Sequence, residues 1–259
     1  GTEMGQGLHT KIRAIAADAL GVEIESVRLM TTATDKVPNT SATAASSGSD
    51  LNGAAVQKAC LEIRGRLAQV AADALGTVGG PETLKFSKGD VRCESGASMS
   101  FAEVARSAWA QQISLSSTGY YATPGIAYDP QIGRGRPFFY YAFGGGISEV
   151  EVNGLTGEYR VLRVDIVHDV GTPLAPSIDI GQIEGAFVQG MGWLTCEDVQ
   201  YNQDGRLLTP GPSTYKIPAV GDVPLAFKVH LLEDAPNRQV VGKSKAVGEP
   251  PFMLGLSVV

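Results

Sequence analysis

An α+β fold is predicted by two observations and one constraint. Apolar residues recur at helical spacing in several separate stretches, and strand-like runs bounded by turn formers crowd into the second half of the chain. The two kinds of element do not alternate as regular β–α–β units, which separates α+β from a parallel α/β sheet. The constraint is size: 259 residues, 43% hydrophobic and 19% charged, are enough for one large domain or two smaller ones. We divide the chain into portions 1–80 and 81–259, because residues 76–96 are rich in turn formers.

Each element has its own signal. From Leu8, apolar residues fall at Ile12, Ile15, Ala16, Ala19 and Leu20, one helical face, and Gly21 ends it. Residues 27–30, Val-Arg-Leu-Met, read as a short strand. Residues 31–49 are dominated by Ser, Thr and Ala, and Ser49 or Asp50 would cap the next helix. That helix carries Val56, Cys60, Ile63, Leu67, Val70 and Ala74, so Cys60 lies on a packing stripe. A third helix is expected over 100–113, with Phe101, Val104, Ala108 and Trp109 on one side. Residues 138–141 and 148–152 are strand-like, and Asn153-Gly154 with Thr156-Gly157 mark a turn into a returning strand over 159–167. A helix over 181–193 buries Ile183, Phe187 and Met191, and a last strand spans 225–232.

Composition excludes several functions. A net charge of −6 disfavours nucleic acid and anionic membrane surfaces, and no apolar run is long enough to span a bilayer. Cys60, Cys93 and Cys196 are odd in number and form no CxxC pair, which points to a reducing, cytoplasmic setting. His9, His168 and His230 match no metal-ligand spacing, so metal ligation by side chains is not expected. The chain opens at Gly1 inside a glycine-rich motif and stops within an apolar run, which reads as a piece of a larger polypeptide.

Familiar catalytic motifs fail. Gly242-Lys243-Ser244 resembles a P-loop end, but Asn237 stands where its first glycine belongs. Gly5-Gln6-Gly7 is followed by Thr10 instead of the third glycine of a dinucleotide fingerprint. No G-x-S-x-G elbow occurs. What remains is a set of loops suited to a polar, anionic organic ligand. Residues 1–7 run straight into a helix, whose N–H groups and positive end suit an anion, or simply make a tight entry turn. Residues 43–49 also open a helix and offer Ser46 and Ser49 hydroxyls among small residues. Asp179-Ile-Gly-Gln182 precedes another helix, and a glutamine amide both donates to and accepts from a heterocycle edge. Glu249 stands between Gly248 and Pro250-Pro251. Proline keeps the preceding residue extended, so Glu249 should be rigidly aimed, with Ala246, Val247 and Phe252 as an apolar wall that would favour a base.

Taken together, GTEMGQGLHTK, VPNTSATAAS, DIGQIEGAFVQG, GPSTYKIP and SKAVGEPP occur in the order and spacing of the molybdenum-binding part of the xanthine dehydrogenase family. The resemblance covers essentially the whole chain, and the wider molybdenum hydroxylases, aldehyde oxidases among them, share weaker versions. It implies that portions 1–80 and 81–259 belong to two cofactor-binding subdomains. It implies a molybdenum–molybdopterin cofactor whose metal is held by the pterin dithiolene, with no side-chain ligand. Gly5 and Gln6 would contact the cofactor, and Ala45, Ser46 and Ser49 would line its pterin and phosphate. Ala44 and Ala45 would border the substrate, Gln182 would hydrogen-bond the pterin, and Glu249 would be the general base. Lys11 receives no role. Gly48 stands where the family can have serine, leaving only backbone contact there.

The implied reaction is hydroxylation of purines, hypoxanthine to xanthine to urate, with water as oxygen source. Electrons would pass through [2Fe–2S] clusters and FAD to NAD, all bound on a partner subunit or another region, in a dimer of heterodimers. The residues that grip the purine would lie upstream, so this piece alone should be inactive. An aldehyde oxidoreductase of the same family, or a non-catalytic assembly fragment, are the alternatives.

Overall fold

The computed structural model of the chain describes residues 1–36, 43–44 and 46–259. Its contacts divide into two compact units, Gly1–Phe139 with Arg238–Gly242, and Tyr140–Asn237 with Lys243–Val259.

In the first unit, α1 (Leu8–Leu20) buries the face its spacing foretold, including Ile12, Ile15, Ala16 and Ala19. Gly21 ends it in the left-handed region at φ 70°. A side chain there would also meet the Phe86 carbonyl at 2.5 Å, so glycine is required twice over. The long helix α2 (Gly48–Leu75) serves two cores. Its first half sets Cys60 against Ala16 and Ala19 of α1, and burial pushes that thiol's pKa up. Its second half sets Leu67, Val70 and Ala71 against Leu84, Val91, Val104 and Ala108.

Leu84 ends a 3-10 turn, Pro81–Thr83, and the other partners come from an antiparallel sheet, β1 (Lys85–Ser87), β2 (Asp90–Arg92) and β3 (Ser98–Ser100), and from α3 (Phe101–Ala110). The start of α3 is fixed by a reciprocal cap in which Ser100 Oγ accepts from the Glu103 N–H and Glu103 accepts from the Ser100 N–H. A small exposed hairpin, β4 (Ala127–Asp129) and β5 (Arg134–Arg136), follows. The division at residue 80 therefore falls inside the core of this unit, because the turn-rich stretch folds back as a sheet onto α2. Nor do residues 27–30 form a strand: they follow a 3-10 turn, Ile24–Ser26, pair with nothing in a ladder, and leave Leu29 and Met30 exposed.

The second unit is built on β6 (Gly144–Val152), β7 (Tyr159–His168) and β8 (Ala226–Leu231). β6 and β7 form the expected hairpin, with one irregularity at Glu149/Val150. β8 runs parallel to β7, and α4 (Pro176–Thr195) lies between them in sequence, so one β–α–β crossover is present after all. Residues 138–141 form no strand. On the inner face, Val164 and Ile166 meet Ile183, Phe187 and Met191 of α4, and the Phe187 and Phe227 rings meet edge to face at 5.3 Å. A 3-10 segment, Pro250–Val258, closes the core with Val258. It lies so close to α4 that a side chain at Gly190 would sit 2.0 Å from the Phe252 carbonyl oxygen, and one at Gly255 2.5 Å from the Gly190 carbonyl carbon. Backbone touches backbone there, which only glycine allows.

Candidate functional site

The predicted cofactor residues divide between the units: Gly5, Gln6, Ser46 and Ser49 in the first, Gln182 and Glu249 in the second. Ala45 lies outside the described residues, and Ala44 is exposed.

In the first unit, the two small-residue loops are brought side by side where α1 and α2 begin. The Thr2 N–H donates to Thr43 Oγ1 at 2.8 Å. A side chain at Gly1 would strike Leu8 at 2.6 Å, and one at Gly48 would meet the same leucine at 3.2 Å. The glycines thus let the loops close over Leu8, which is itself buried.

The entrance to α1 differs from its expected use. Glu3 turns back so that its carboxylate accepts from the N–H groups of Gly5 (2.8 Å), Gly7 (3.0 Å) and His9 (2.9 Å). Burial opposes ionisation of Glu3, but the bonds from His9, Gly7 and Gly5 outweigh it and hold its pKa below the ordinary carboxylate value. An internal anion therefore fills the place that the sequence assigned to a ligand. Gln6 is engaged as well: its Oε1 accepts from the Met4 N–H and its Nε2 donates to the Thr2 carbonyl. Gly5, at φ 103°, has open space where a side chain would project. Its backbone is the surface this loop offers.

The entrance to α2 contrasts with this. Ser47 precedes the helix and its hydroxyl donates to the Ala44 carbonyl at 3.1 Å, and it makes no side-chain cap on α2. Ser46 holds the left-handed φ of 51°, and Ser49 stands in the first turn. The start of a 28-residue helix, with two hydroxyls at its mouth, suits a phosphate and a polar ring. The donor set fits a pterin carrying an anionic tail.

In the second unit, Gln182 does not precede α4 but lies within it, half-buried. Asp179, almost fully buried in the first turn, accepts from the N–H of Ala175, the residue before the helix, at 3.4 Å. Glu249 leads the 3-10 segment with φ −112° and ψ −37°, not the extended backbone expected before proline, because the chain turns at once into Pro250–Val258. The expected apolar wall is also redirected. Val247 and Pro251 are buried in the unit's own core, Phe252 packs on Trp193, and Glu249 is exposed on this chain. In the GPSTYKIP motif, the Tyr215 hydroxyl donates to Glu197 at 2.7 Å and Lys216 pairs with Asp222 at 2.8 Å.

Sequence reasoning missed Glu3, although a carboxylate just before two glycines and a helix start was a readable signal. It also missed Asp169 and Tyr140, which carry no motif and meet their partners only in the folded unit. Among the described residues, no group of three or more His, Cys, Asp or Glu side chains is placed to hold a metal, and no helix is long and apolar enough to cross a membrane.

Comparison with known proteins adds the following. A family model described as a molybdopterin cofactor-binding domain matches residues 1–224. Xanthine dehydrogenases of Oryza sativa and Dictyostelium discoideum are 44% and 47% identical over the whole chain, and the mouse xanthine dehydrogenase/oxidase is 46% identical. The chain spans only 18% of the length of each. Among solved structures, quinoline 2-oxidoreductase from Pseudomonas putida 86 matches with a TM-score of 0.83 and 28% identity, covering 99% of this chain and 32% of that one. An aldehyde oxidoreductase from Desulfovibrio desulfuricans shares the fold, with a TM-score of 0.74 and 22% identity over 98% of this chain and 25% of its own.

Proposed function

The chain belongs to the molybdopterin cofactor-binding domain family, and from that premise we propose that it is the cofactor-binding piece of a molybdenum hydroxylase acting on purines. The observation that supports this most is the 44–47% identity to xanthine dehydrogenases at full coverage of this chain. The α2 entrance supplies a physical counterpart, since a helix N-terminus with the Ser46 and Ser49 hydroxyls beside it suits the pterin and its phosphate. In this reading Gly5 and Gln6 contact the cofactor and Gln182 bonds the pterin. Ala44 and Ala45 border the substrate.

When bound, the cofactor supplies two-electron oxidation at carbon, with water as the oxygen source. The chain's own part is to hold the cofactor and to move a proton. Glu249 takes that proton on its carboxylate and returns it to solvent, the work of a general base. Its exposure on this chain means that the remainder of the protein must complete the dry wall such a base needs. Electrons leave through [2Fe–2S] clusters and FAD bound elsewhere, to NAD, in a cytoplasmic dimer of heterodimers.

An aldehyde oxidoreductase is the second reading, supported by likeness of fold alone. The test is turnover by the complete enzyme. Hypoxanthine and xanthine should be converted to urate far faster than aldehydes to acids. An aldehyde preference would replace the purine reading, and a complete protein purified without molybdenum or pterin would leave only an assembly role.

A further inference from the structure

The segment that carries Glu249 is tied down by groups to which no role has yet been given. Ser244 bridges to Gly171, and Ser244 is 5% exposed. The Lys245 N–H donates to the Val170 carbonyl at 2.8 Å, while its ammonium is paired with the Asp169 carboxylate. That pair is buried, with the Lys245 and Asp169 side chains 14% and 4% exposed. The second Asp169 oxygen accepts from the Gly171 N–H at 2.9 Å. Phe143 places its ring 5.6 Å from the Lys245 ammonium, and its carbonyl accepts from the Asp169 N–H at 2.8 Å. One residue on, the Ala246 N–H donates to the Tyr140 hydroxyl at 2.7 Å. Val247 is then buried in the core, and Glu249 follows two residues later.

A buried ion pair is a poor source of net stability, because desolvating both charges offsets most of their attraction. Its distinctive effect is geometric. A desolvated carboxylate with one oxygen on an ammonium and the other on a backbone N–H fixes where both strands of chain sit. Here one of those strands, Ser244 to Val247, leads directly to Glu249.

We propose that Asp169, Lys245 and Tyr140 are positioning residues that set the place of the Glu249 carboxylate. The proposal rests on the reading of Glu249 as the base. The clamp acts on two successive residues, Lys245 through backbone and side chain and Ala246 through backbone. Gly248 then leaves a single permissive link before the Pro250–Val258 segment takes over. Loosening the clamp shifts the carboxylate without altering any group that touches the cofactor.

The experiment uses the complete enzyme with its cofactor and compares two variants. Tyr140→Phe deletes one oxygen and its bond to Ala246. The double variant Asp169→Asn/Lys245→Met removes the charge pair without leaving either charge buried alone. Molybdenum content, kcat per molybdenum and KM for xanthine are measured for each. We expect near-normal molybdenum content, KM within about threefold, and kcat per molybdenum lowered roughly tenfold to a hundredfold, the scale of a misplaced catalytic group. In a Glu249→Ala background the same changes should cost nothing further, since no carboxylate remains to be placed. Unchanged kcat per molybdenum in both variants overturns the proposal, as does a loss that multiplies fully with that of Glu249→Ala. A fall in molybdenum content alone, with kcat per molybdenum intact, also overturns it and marks the clamp as purely structural. Should Glu249→Ala itself retain full turnover, the base assignment fails, a result separate from either of these.

Discussion

The first unit offers backbone and hydroxyls where its helices begin, whereas the second presents a carboxylate on a clamped strap. The entrances are light structures. Glu3, half-buried, rests on three N–H groups, and Ser47 makes no side-chain cap on α2. The strap is heavy by comparison, with a buried ion pair, a buried valine and a backbone-to-backbone contact between Gly190 and Gly255 below it. The difference matches what each task demands. Holding a large cofactor requires many adjustable donors, but transferring a proton requires one group that does not move.

If that division is right, the two regions fail differently when altered. The largest effect belongs to the strap. Glu249→Ala in the complete enzyme should lower turnover per molybdenum by about 10²–10⁴-fold while cofactor content stays near normal. Elemental and kinetic analysis of the same sample checks both halves. Next comes the entrance to α2. Ser49→Asp adds a negative charge to the first turn of α2, which steadies the helix but repels an anionic cofactor, so cofactor affinity should drop roughly tenfold. Full molybdenum and pterin content in that variant would break the comparison.

A smaller effect is expected at the filled entrance. Glu3→Ala should cost about 0.5–2 kcal/mol of local stability, as loss of a cap does, and raise amide exchange at Gly5, Gly7 and His9 without touching the second unit. The smallest effect is with pH. Burial holds His168 below the ordinary histidine value of 6.5, against the opposing pull of Asp169. Its contribution is complete above that value, and the second unit should lose stability as pH falls below 6.5 towards the depressed folded pKa, since the unfolded chain then binds more protons. The Glu3 cap runs lower: its carboxylate favours folding above the ordinary value of 4.5, and that favour is lost as acid takes the pH through the depressed folded value. Amide exchange followed from pH 7 downward should therefore loosen the His168 region before the Glu3 loop.

Much of the fold could be read from the chain because helices declare themselves locally. The stripe from Val56 to Ala74, the Gly21 stop and the turn after β6 are encoded within a few residues of where they act. The errors share one cause. Residues 27–30 and 138–141 have strand-like composition, but composition alone does not build a ladder, and neither stretch joins one of the described sheets. The parallel pairing of β7 with β8 joins residues about sixty positions apart, which periodicity does not reveal. At the candidate site, the glycine- and serine-bearing loops were recognisable. That Glu3 fills one entrance was not, because both loops have the same kind of composition. The clamp behind Glu249 was equally hidden: nothing near Asp169 or Tyr140 in sequence announces Lys245 or Ala246.

The most direct test is an electron-density map of the complete, cofactor-loaded protein. The pterin's anionic tail should lie against the first turn of α2, bonded by Ser46 and Ser49, with the Glu3 carboxylate still on Gly5, Gly7 and His9. A tail seated on those three N–H groups, with Glu3 expelled, would contradict it.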